Sequence, residues 1–252
     1  GQLTEALKTT VVVVPEPTPA PAPEPAAPEF NFIPTVSLAE GGEAITKGNA
    51  WEIFRANADG SRGEGIATEY EAYKGNLEPG NYVVEARVSE ARIEQPVVIE
   101  PGKVTEQHFV LNAGTLKISP KATAGSEPDA GAAVHFIYPG GDWVTYGPTT
   151  VVVPAGEQTV KVNLGEAEVS ETFALKAGEV IEKDIVAGVG VVKVNAFYAP
   201  GMKVEADGIA VNILEAKKDI NGKRKDVAYT FGPDKQFSLP PGDYVVVFKQ
   251  EG

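Results

Sequence analysis

The stretch LEPGNYVVEARV, Leu77–Val88, decides the fold of this chain, because a Pro-Gly turn opens onto a run of alternating apolar residues. Alternation with a period of two indicates a β-strand with one buried side and one wet side. The residues predicted to face a core are Tyr82, Val84, Ala86 and Val88. The residues predicted to face water are Val83, Glu85 and Arg87.

Two later stretches repeat this pattern, VPAGEQTVKVNL at Val153–Leu164 and LPPGDYVVVFKQ at Leu239–Gln250. In the second copy, alternation directs Val160, Val162 and Leu164 inward and leaves Lys161 and Asn163 outside. In the third copy, the predicted inner residues are Tyr244, Val246 and Phe248. The chain therefore contains three related strands, each introduced by the same turn.

Glycines around these strands recur at a constant separation of 76 residues, which we call the repeat offset. A constant separation of this length indicates a copied folded unit. The recurring pairs are Gly80 and Gly156, Gly102 and Gly178, and Gly114 and Gly190. After Gly102 or Gly178, we expect a second strand that runs on through Gly114 or Gly190 into the next unit. Such short connections predict a semi-rigid rod.

The third repeat is longer, since Gly242 lies ten positions further from Gly156 than the repeat offset requires. The extra length falls in KKDINGKRKD, residues 217–226, where Asn221-Gly222 predicts a projecting hairpin with a two-residue turn. Its basic residues are Lys217, Lys218, Lys223, Arg224 and Lys225. Two interpretations stay open, a solvated hairpin tip and a contact with an acidic face of a partner.

Composition limits the classes of function. The net charge of −13 argues against nucleic acid and anionic membranes, because phosphate binding needs clustered Lys and Arg. No apolar run approaches the ~20 residues that span a bilayer. The chain has no cysteine, which excludes disulfides and thiolate metal sites. With 27 Gly and 20 Pro between short Val-rich runs, the composition is typical of turn-connected β structure.

The N-terminal part differs in composition. Residues 15–28, PEPTPAPAPEPAAP, predict a stiff polyproline II spacer, and residues 1–14 resemble the last strand of a repeat. The predicted divisions are an isolated strand at 1–14, a linker at 15–29, and repeats at 30–112, 113–188 and 189–252, the last of them incomplete. Either the chain is a piece of a longer array, or the N-terminal strand of one molecule completes the terminal repeat of another.

Signatures of enzymes and metal sites are missing from the sequence. His108 and His135, its two histidines, both lie in predicted strands, and there is no nucleophile elbow or phosphate-binding loop. We therefore predict no enzymatic activity, no cofactor and no metal. Trp143 and Tyr146, after a Gly-rich turn, could stack on sugar rings, while packing of Trp143 on its own sandwich is the alternative.

The motifs PGNYVV, PAGEQTV and PPGDYVV, with IEPGKVTE and LKAGEVIE, resemble the transthyretin-like or carboxypeptidase-regulatory-like β-sandwich repeats of bacterial envelope proteins. The resemblance covers residues 30–252 and implies tandem Ig-like antiparallel sandwiches. Such arrays often stand beside von Willebrand factor A domains, whose metal-binding D-x-S-x-S motif is absent here. Gln158 departs from the pattern, because it replaces the tyrosine found at 82 and 244.

These features predict an all-β array behind a polyproline linker that acts as a structural or adhesive stalk. The resemblance implies a location at the cell surface, outside the cell or in the periplasm, with other envelope proteins or copies of the chain as partners. Two alternatives remain, a subunit that assembles by N-terminal strand donation and a module that binds polysaccharide through Trp143 and Tyr146.

Overall fold

A computed structural model describes residues 28–203 and 208–250 of the chain, and these residues form twenty β-strands. The all-β prediction is confirmed. No helix occurs among the described residues, so none of them forms an apolar helix long enough to cross a membrane. The predicted N-terminal strand, and all of the proline-rich linker before Pro28, lie outside the described residues.

The first six strands form a sandwich that we call the first module. Its strands are β1 (Phe32–Ser37), β2 (Asn49–Ala56), β3 (Arg62–Tyr70), β4 (Gly80–Val88), β5 (Ala91–Ile99) and β6 (Thr105–Val110). One sheet is antiparallel with the order β3-β2-β4-β5, and the other pairs β1 with β6 in parallel.

The second module repeats this arrangement with one more strand. Its strands are β7 (Ala113–Lys121), β8 (Ala133–Tyr138), β9 (Gly141–Tyr146), β10 (Thr149–Pro154), β11 (Gly156–Leu164), β12 (Ala167–Leu175) and β13 (Val180–Val186). The antiparallel sheet has the order β12-β11-β8-β9. In the sheet β10-β7-β13, β7 pairs antiparallel with β10 and parallel with β13.

The third module contains the remaining strands. They are β14 (Gly190–Val194), β15 (Phe197–Ala199), β16 (Met202–Lys203), β17 (Ile209–Lys218), β18 (Arg224–Phe231), β19 (Lys235–Leu239) and β20 (Tyr244–Gln250). Its sheets have the orders β18-β17-β20 and β14-β19, and β15 pairs with β16.

Each module has its own hydrophobic core between its two sheets, because alternating side chains from both sheets point inward. In the first core, Trp51 of β2 meets Phe109 of β6 edge to face at 5.4 Å. The inward positions predicted for β4 and β11 are buried, which confirms the register of both strands.

Two parts of the predicted alternation are wrong. Val83 and Glu85, predicted to face water, are buried on the outer side of β4, because β4 lies between two strands and Arg62 from β3 reaches across to Glu85. Val246 and Phe248 of β20, predicted as inner residues, are exposed. They lie opposite Ile213 and Val211 on the correct face, but the sheet available to cover them has only two strands among the described residues.

The strands do not run through the connections as we expected. β6 ends at Val110 and β7 begins at Ala113, while β13 ends at Val186 and β14 begins at Gly190. The breaks contain Asn112 and Gly188, with φ of 50° and 69°. A left-handed residue turns the chain out of the extended conformation, and Asn and Gly are the residues that adopt it most readily.

The predicted hairpin in the third module is confirmed, but its turn differs. Asp219 and Lys223 close the loop, since the backbone N–H of Asp219 donates to the carbonyl oxygen of Lys223 at 2.7 Å. The carboxylate of Asp219 also accepts hydrogen bonds from the N–H groups of Asn221 and Lys223. A two-residue type I′ turn needs two residues with positive φ, and only Gly222 has it here.

Gln158 takes over the role of the tyrosine that it replaces. The hydroxyl of Tyr82 donates to the carbonyl oxygen of Glu78 at 2.7 Å, and that of Tyr244 donates to Pro240 at 2.7 Å. The Gln158 amide donates to the carbonyl oxygen of Pro154 at 2.9 Å, which is again four residues earlier. The same corner is therefore fastened in all three modules by two kinds of side chain.

Candidate functional site

The first junction between modules is formed by the turn after β4. The backbone N–H of Glu90 in this turn donates to the carbonyl oxygen of Val152 in β10, 3.1 Å away. The hydroxyl of Tyr138 donates to the Glu90 carboxylate at 3.2 Å, and Val152 packs against the first core. The first junction thus combines two hydrogen bonds of the turn with an apolar contact between Val152 and the first core.

The second junction repeats the central contact of the first. The N–H of Glu166, in the turn after β11, donates to the carbonyl oxygen of Ser238 in β19 at 3.1 Å. Glu166 follows Glu90 by the repeat offset. Ser238 occupies the position in β19 that Val152 occupies in β10. Ser238 pairs with Val191, and Val152 pairs with Thr115. Thr115 precedes Val191 by the repeat offset. Both junctions therefore use the same hydrogen bond between corresponding positions.

The two junction turns share a left-handed residue. Ser89 has a φ of 53° and Gly165 a φ of 56°. At Gly165 the backbone of the third module comes so close that an added Cβ would lie 2.3 Å from the Ser238 carbonyl oxygen. Only glycine fits the second junction without displacing the neighbouring strand.

The connecting residues are also tied to the module that precedes them. The N–H of Ala113 donates to the carbonyl oxygen of Leu38 at 2.9 Å, and that of Val189 donates to Ala122 at 3.0 Å. At the first junction, the carbonyl oxygen of Asn112 accepts a hydrogen bond from Ala155 at 2.9 Å. Because each connection is bonded on its way out of a module, it offers little slack for bending.

Two of the groups with raised pKa values are Tyr138 at the first junction and Arg62 in the sheet of the first module. Burial, and next the nearby Glu90 carboxylate, raise the pKa of Tyr138 above its ordinary value. On β4, the carboxylate of Glu85 is nearly inaccessible and pairs with Arg62, which also bonds Glu94 at 2.6 Å. The hydrogen bond that Arg62 donates to Glu94, together with the interaction with Glu85, raises the pKa of Arg62.

Trp143 and Tyr146 do not form one surface. Trp143 is half-buried and stacks on Phe136, with a centroid distance of 5.8 Å, so it packs on its own sandwich. Tyr146 is 68% exposed. Because the two residues are three apart on β9, their side chains leave opposite sides of the strand. Their contact with a glycan stays a prediction, with Tyr146 as the accessible ring.

The basic residues of the predicted cluster lie on both strands and the loop of the hairpin formed by β17 and β18. Lys225 pairs with Glu215 at 3.1 Å, and the Arg224 guanidinium donates to the carbonyl oxygen of Ala216 at 3.3 Å. Lys217, Lys218 and Lys223 are exposed. The structure therefore brings the predicted basic cluster together, while Glu215 reduces its net charge.

Each histidine contacts polar side chains of a neighbouring strand. His108 lies across from Thr35 in the β1-β6 pair and also bonds Ser37, with N···O distances of 2.8 and 3.0 Å. His135 contacts the Asp142 carboxylate at 3.0 Å. Within residues 28–203 and 208–250, no three acidic or histidine side chains group in a way that could hold a metal ion.

Sequence reasoning missed the junction residues. Glu90 and Val152 carry no motif, and nothing in the sequence indicates that one donates to the other. A usable signal exists in the repeat offset, which also relates Asn112 to Gly188 and Ser89 to Gly165. Each of these pairs consists of residues with positive φ, so the repeat marks the turns of both junctions.

The chain matches no family model and no curated protein. Among solved structures, it is similar to the Bacillus anthracis TIE protein with 18% identity and a TM-score of 0.27, covering 88% of this chain and 45% of that one. A Streptococcal ancillary pilin has 9% identity and a TM-score of 0.28, with 87% and 89% covered. A C-terminal fragment of pilus adhesin SpaC from Lactobacillus rhamnosus GG has 12% identity and a TM-score of 0.22, with 64% and 91% covered. At such TM-scores, these likenesses carry no argument about function.

Proposed function

We propose that this chain is a non-enzymatic, semi-rigid stalk that spaces or presents other modules at a bacterial surface, outside the cell or in the periplasm. The observation that carries the proposal is the hydrogen bond that recurs between modules, from Glu90 to Val152 and from Glu166 to Ser238. A contact repeated at corresponding positions gives successive modules a similar relative orientation, as a stalk requires.

The contacts at the junctions oppose bending of the chain between modules. Modules joined by a flexible linker move independently unless the interface holds them. Here the first junction combines the Glu90 and Tyr138 contacts with a bonded connection at Ala113, so bending would break several interactions together. Each net hydrogen bond stabilises by about 1 kcal/mol, so three or four of them suffice to favour one orientation strongly.

The predicted division into repeats at 30–112, 113–188 and 189–252 remains part of this proposal. The net charge of −13 supports an exposed protein that stays soluble among envelope polymers. Partners on this account are other envelope proteins or copies of the chain. The cluster Lys217, Lys218, Lys223, Arg224 and Lys225 is a candidate contact for an acidic partner.

Polysaccharide binding receives less support, because Trp143 and Tyr146 cannot form one stacking platform from opposite sides of β9. Association of copies through the N-terminal segment is compatible with a stalk. It would use a different surface, the edge of β14 that faces away from β19.

Small-angle X-ray scattering tests the proposed stiffness. The full chain is compared with a variant that carries Gly-Ser-Gly-Ser between Asn112 and Ala113, at the first junction. We expect the insertion to reduce the mean radius of gyration and to spread the distance distribution, because a flexible linker lets modules fold towards each other. Indistinguishable curves would mean that the native junction is already flexible, which contradicts the proposal.

A further inference from the structure

The first strand of the third module has one edge without a partner among the described residues. In the second module, β7 is flanked by β10 on one side and by the parallel strand β13 on the other. In the third module, β14 pairs with β19, which corresponds to β10, and no strand within 28–203 or 208–250 lies along its other edge. In the first module this position beside β1 is occupied by β6.

The donors on that edge can be assigned from the second module. The N–H of Thr115 points away from β10 and donates to the carbonyl oxygen of Glu179, just before β13, at 2.8 Å. Val191 of β14 corresponds to Thr115 and has the same relation to β19, so its N–H is directed to the outer edge. Unpaired donors and acceptors on a strand edge are a template for another strand.

Charge indicates what the added strand must carry. Lys117 of β7 lies directly across from Glu182 of β13, and its ammonium group contacts the carboxylate at 2.5 Å. Lys193 corresponds to Lys117 and is exposed. A strand added beside β14 in the same parallel register should therefore place an acidic residue opposite Lys193.

We propose that residues 1–14 of a second copy of this chain add a parallel strand to the outer edge of β14. The sequence GQLTEALKTTVVVV matches β6 and its preceding turn at three positions, where Gly1, Thr4 and Glu5 correspond to Gly102, Thr105 and Glu106. The same alignment matches Glu5 with Glu182 and sets it opposite Lys193. The occupant thus has the acidic residue that the edge requires.

The alignment also limits the length of the pairing. It places Leu3 opposite Val191 and Ala6 opposite Val194, so the pairing covers all of β14 except Gly190. The next inward position, equivalent to the buried Ile185, is Lys8. The strand pairing therefore ends before Lys8, and backbone hydrogen bonds with the Glu5–Lys193 contact provide its specificity.

The surface beside β14 has apolar area that an added strand can cover. Val192 of β14 is 37% exposed and Phe248 of the facing sheet is 39% exposed, whereas their counterparts in the second module, Leu116 and Val162, are buried. Covering such side chains contributes roughly 25 cal/mol per Å² of apolar surface removed from water. Among the described residues, the third core has fewer buried side chains than the other two, so an added strand would extend the smallest of the three cores.

A donor strand from the same molecule fits poorly. The stretch 15–27 separates the segment from the described chain, and seven prolines between 15 and 28 predict a stiff spacer of roughly 40 Å. This spacer leads into the first module, while the acceptor edge belongs to the third. Pairing between copies joins unlike surfaces head to tail, an arrangement that propagates to filaments or rings.

Sedimentation velocity of the full chain over a hundredfold concentration range tests the pairing. We expect the weight-average mass to rise with concentration, and Lys193→Glu to weaken association about fivefold to tenfold, since attraction becomes repulsion. Glu5→Lys should have the same effect. The double variant Glu5→Lys with Lys193→Glu should restore association, because it re-forms the pair with its charges exchanged.

The matched control is Lys47→Glu, which makes the same charge change at an exposed residue of the first module. It should leave association unchanged. A wild-type chain that stays monomeric throughout would overturn the proposal, as would equal effects of Lys193→Glu and the control, or no restoration in the double variant. Stiffness at the junctions is measured on the monomer, so the stalk proposal can fail or hold independently.

Discussion

Gly165 lies against Ser238 across the second junction so closely that a Cβ at position 165 would stand 2.6 Å from the Ser238 Cβ. The adjacent residue, Glu166, donates its N–H to the carbonyl oxygen of the same serine. Close approach of the backbone and the hydrogen bond that recurs between modules are therefore properties of one turn. A side chain at 165 should disturb the junction directly.

Gly165→Ala is expected to destabilise the third module more than Gly188→Ala does. Both glycines have positive φ, 56° and 69°, so both variants bear a backbone cost of about 1–2 kcal/mol. An added Cβ at 188 meets nothing within 4 Å, whereas at 165 it would overlap Ser238. The difference, about 1–3 kcal/mol in the free energy of unfolding by urea, reports the junction contact. Equal costs would show that the approach is not tight.

Removing the corner hydrogen bond should weaken the first and second modules alike. Tyr82→Phe deletes the hydroxyl that bonds Glu78, and Gln158→Leu deletes the amide that bonds Pro154. We expect each change to lower the free energy of unfolding by about 1–2 kcal/mol. Tryptophan fluorescence distinguishes the modules, because Trp51 lies in the first and Trp143 in the second. No loss in Gln158→Leu would show that the amide does not replace the tyrosine.

Two arginines of the first module provide a comparison between a buried and an exposed ion pair. Arg62 lies over the ring of Phe54 and Arg55 over that of Tyr82. Arg55 pairs with Glu78, whereas Arg62 pairs with Glu85 and also with the half-exposed Glu94. The carboxylate side chain of Glu85 is 6% exposed and that of Glu78 is 84% exposed.

Arg62→Met should lower the free energy of unfolding by about 2 kcal/mol, because it leaves the buried carboxylate of Glu85 without its guanidinium partner. Arg55→Met should cost less than about 1 kcal/mol, as is typical of a surface pair. Chemical denaturation of both variants measures the difference. Similar costs would mean that Glu85 is solvated in spite of its burial.

Tyr138 makes the first junction sensitive to high pH. Its pKa is raised in the folded chain, so the neutral phenol contributes stability in full below its ordinary pKa of about 10. That contribution is lost as pH rises through the raised folded-state pKa, because the phenolate next to Glu90 is repelled. Wild type should therefore exceed Tyr138→Phe in stability at pH 8 by about 1 kcal/mol and lose this advantage above pH ~10.

Urea unfolding of both proteins between pH 8 and 11 measures this difference. The raised pKa of Tyr82 affects both proteins equally and cancels. An advantage that stays constant with pH would contradict a junction role for the Tyr138 hydroxyl.

The sequence predicted the direction of a side chain correctly wherever that direction depends only on residues nearby in the chain. Alternation in β4 and β11 predicted their inner residues, and the turn glycines Gly80 and Gly156 mark where these strands begin. Alternation was insufficient for Val83 and Glu85, since burial of the outer side depends on Arg62, which arrives from a separate strand. In β20, the inward face was predicted correctly, but its burial depends on the strands of the facing sheet.

The junctions were less accessible to sequence reasoning for the same physical reason. The Glu90–Val152 hydrogen bond joins backbone atoms that are far apart along the chain, and backbone groups are identical at every position apart from proline. The sequence does indicate which turn positions require a left-handed backbone conformation. Gly165 and Gly188 stand where φ is positive, and their counterparts Ser89 and Asn112 precede them by the repeat offset.

The most direct test of the stalk is a distance distribution between the first and third modules, measured by pulsed electron spin resonance. The chain has no cysteine, so spin labels can be attached at Thr68→Cys on β3 and Lys249→Cys on β20, both exposed strand positions. We predict one narrow distance distribution, broadened by insertion of Gly-Ser-Gly-Ser between Asn112 and Ala113. A distribution that is already broad in the chain without the insertion would contradict the stalk.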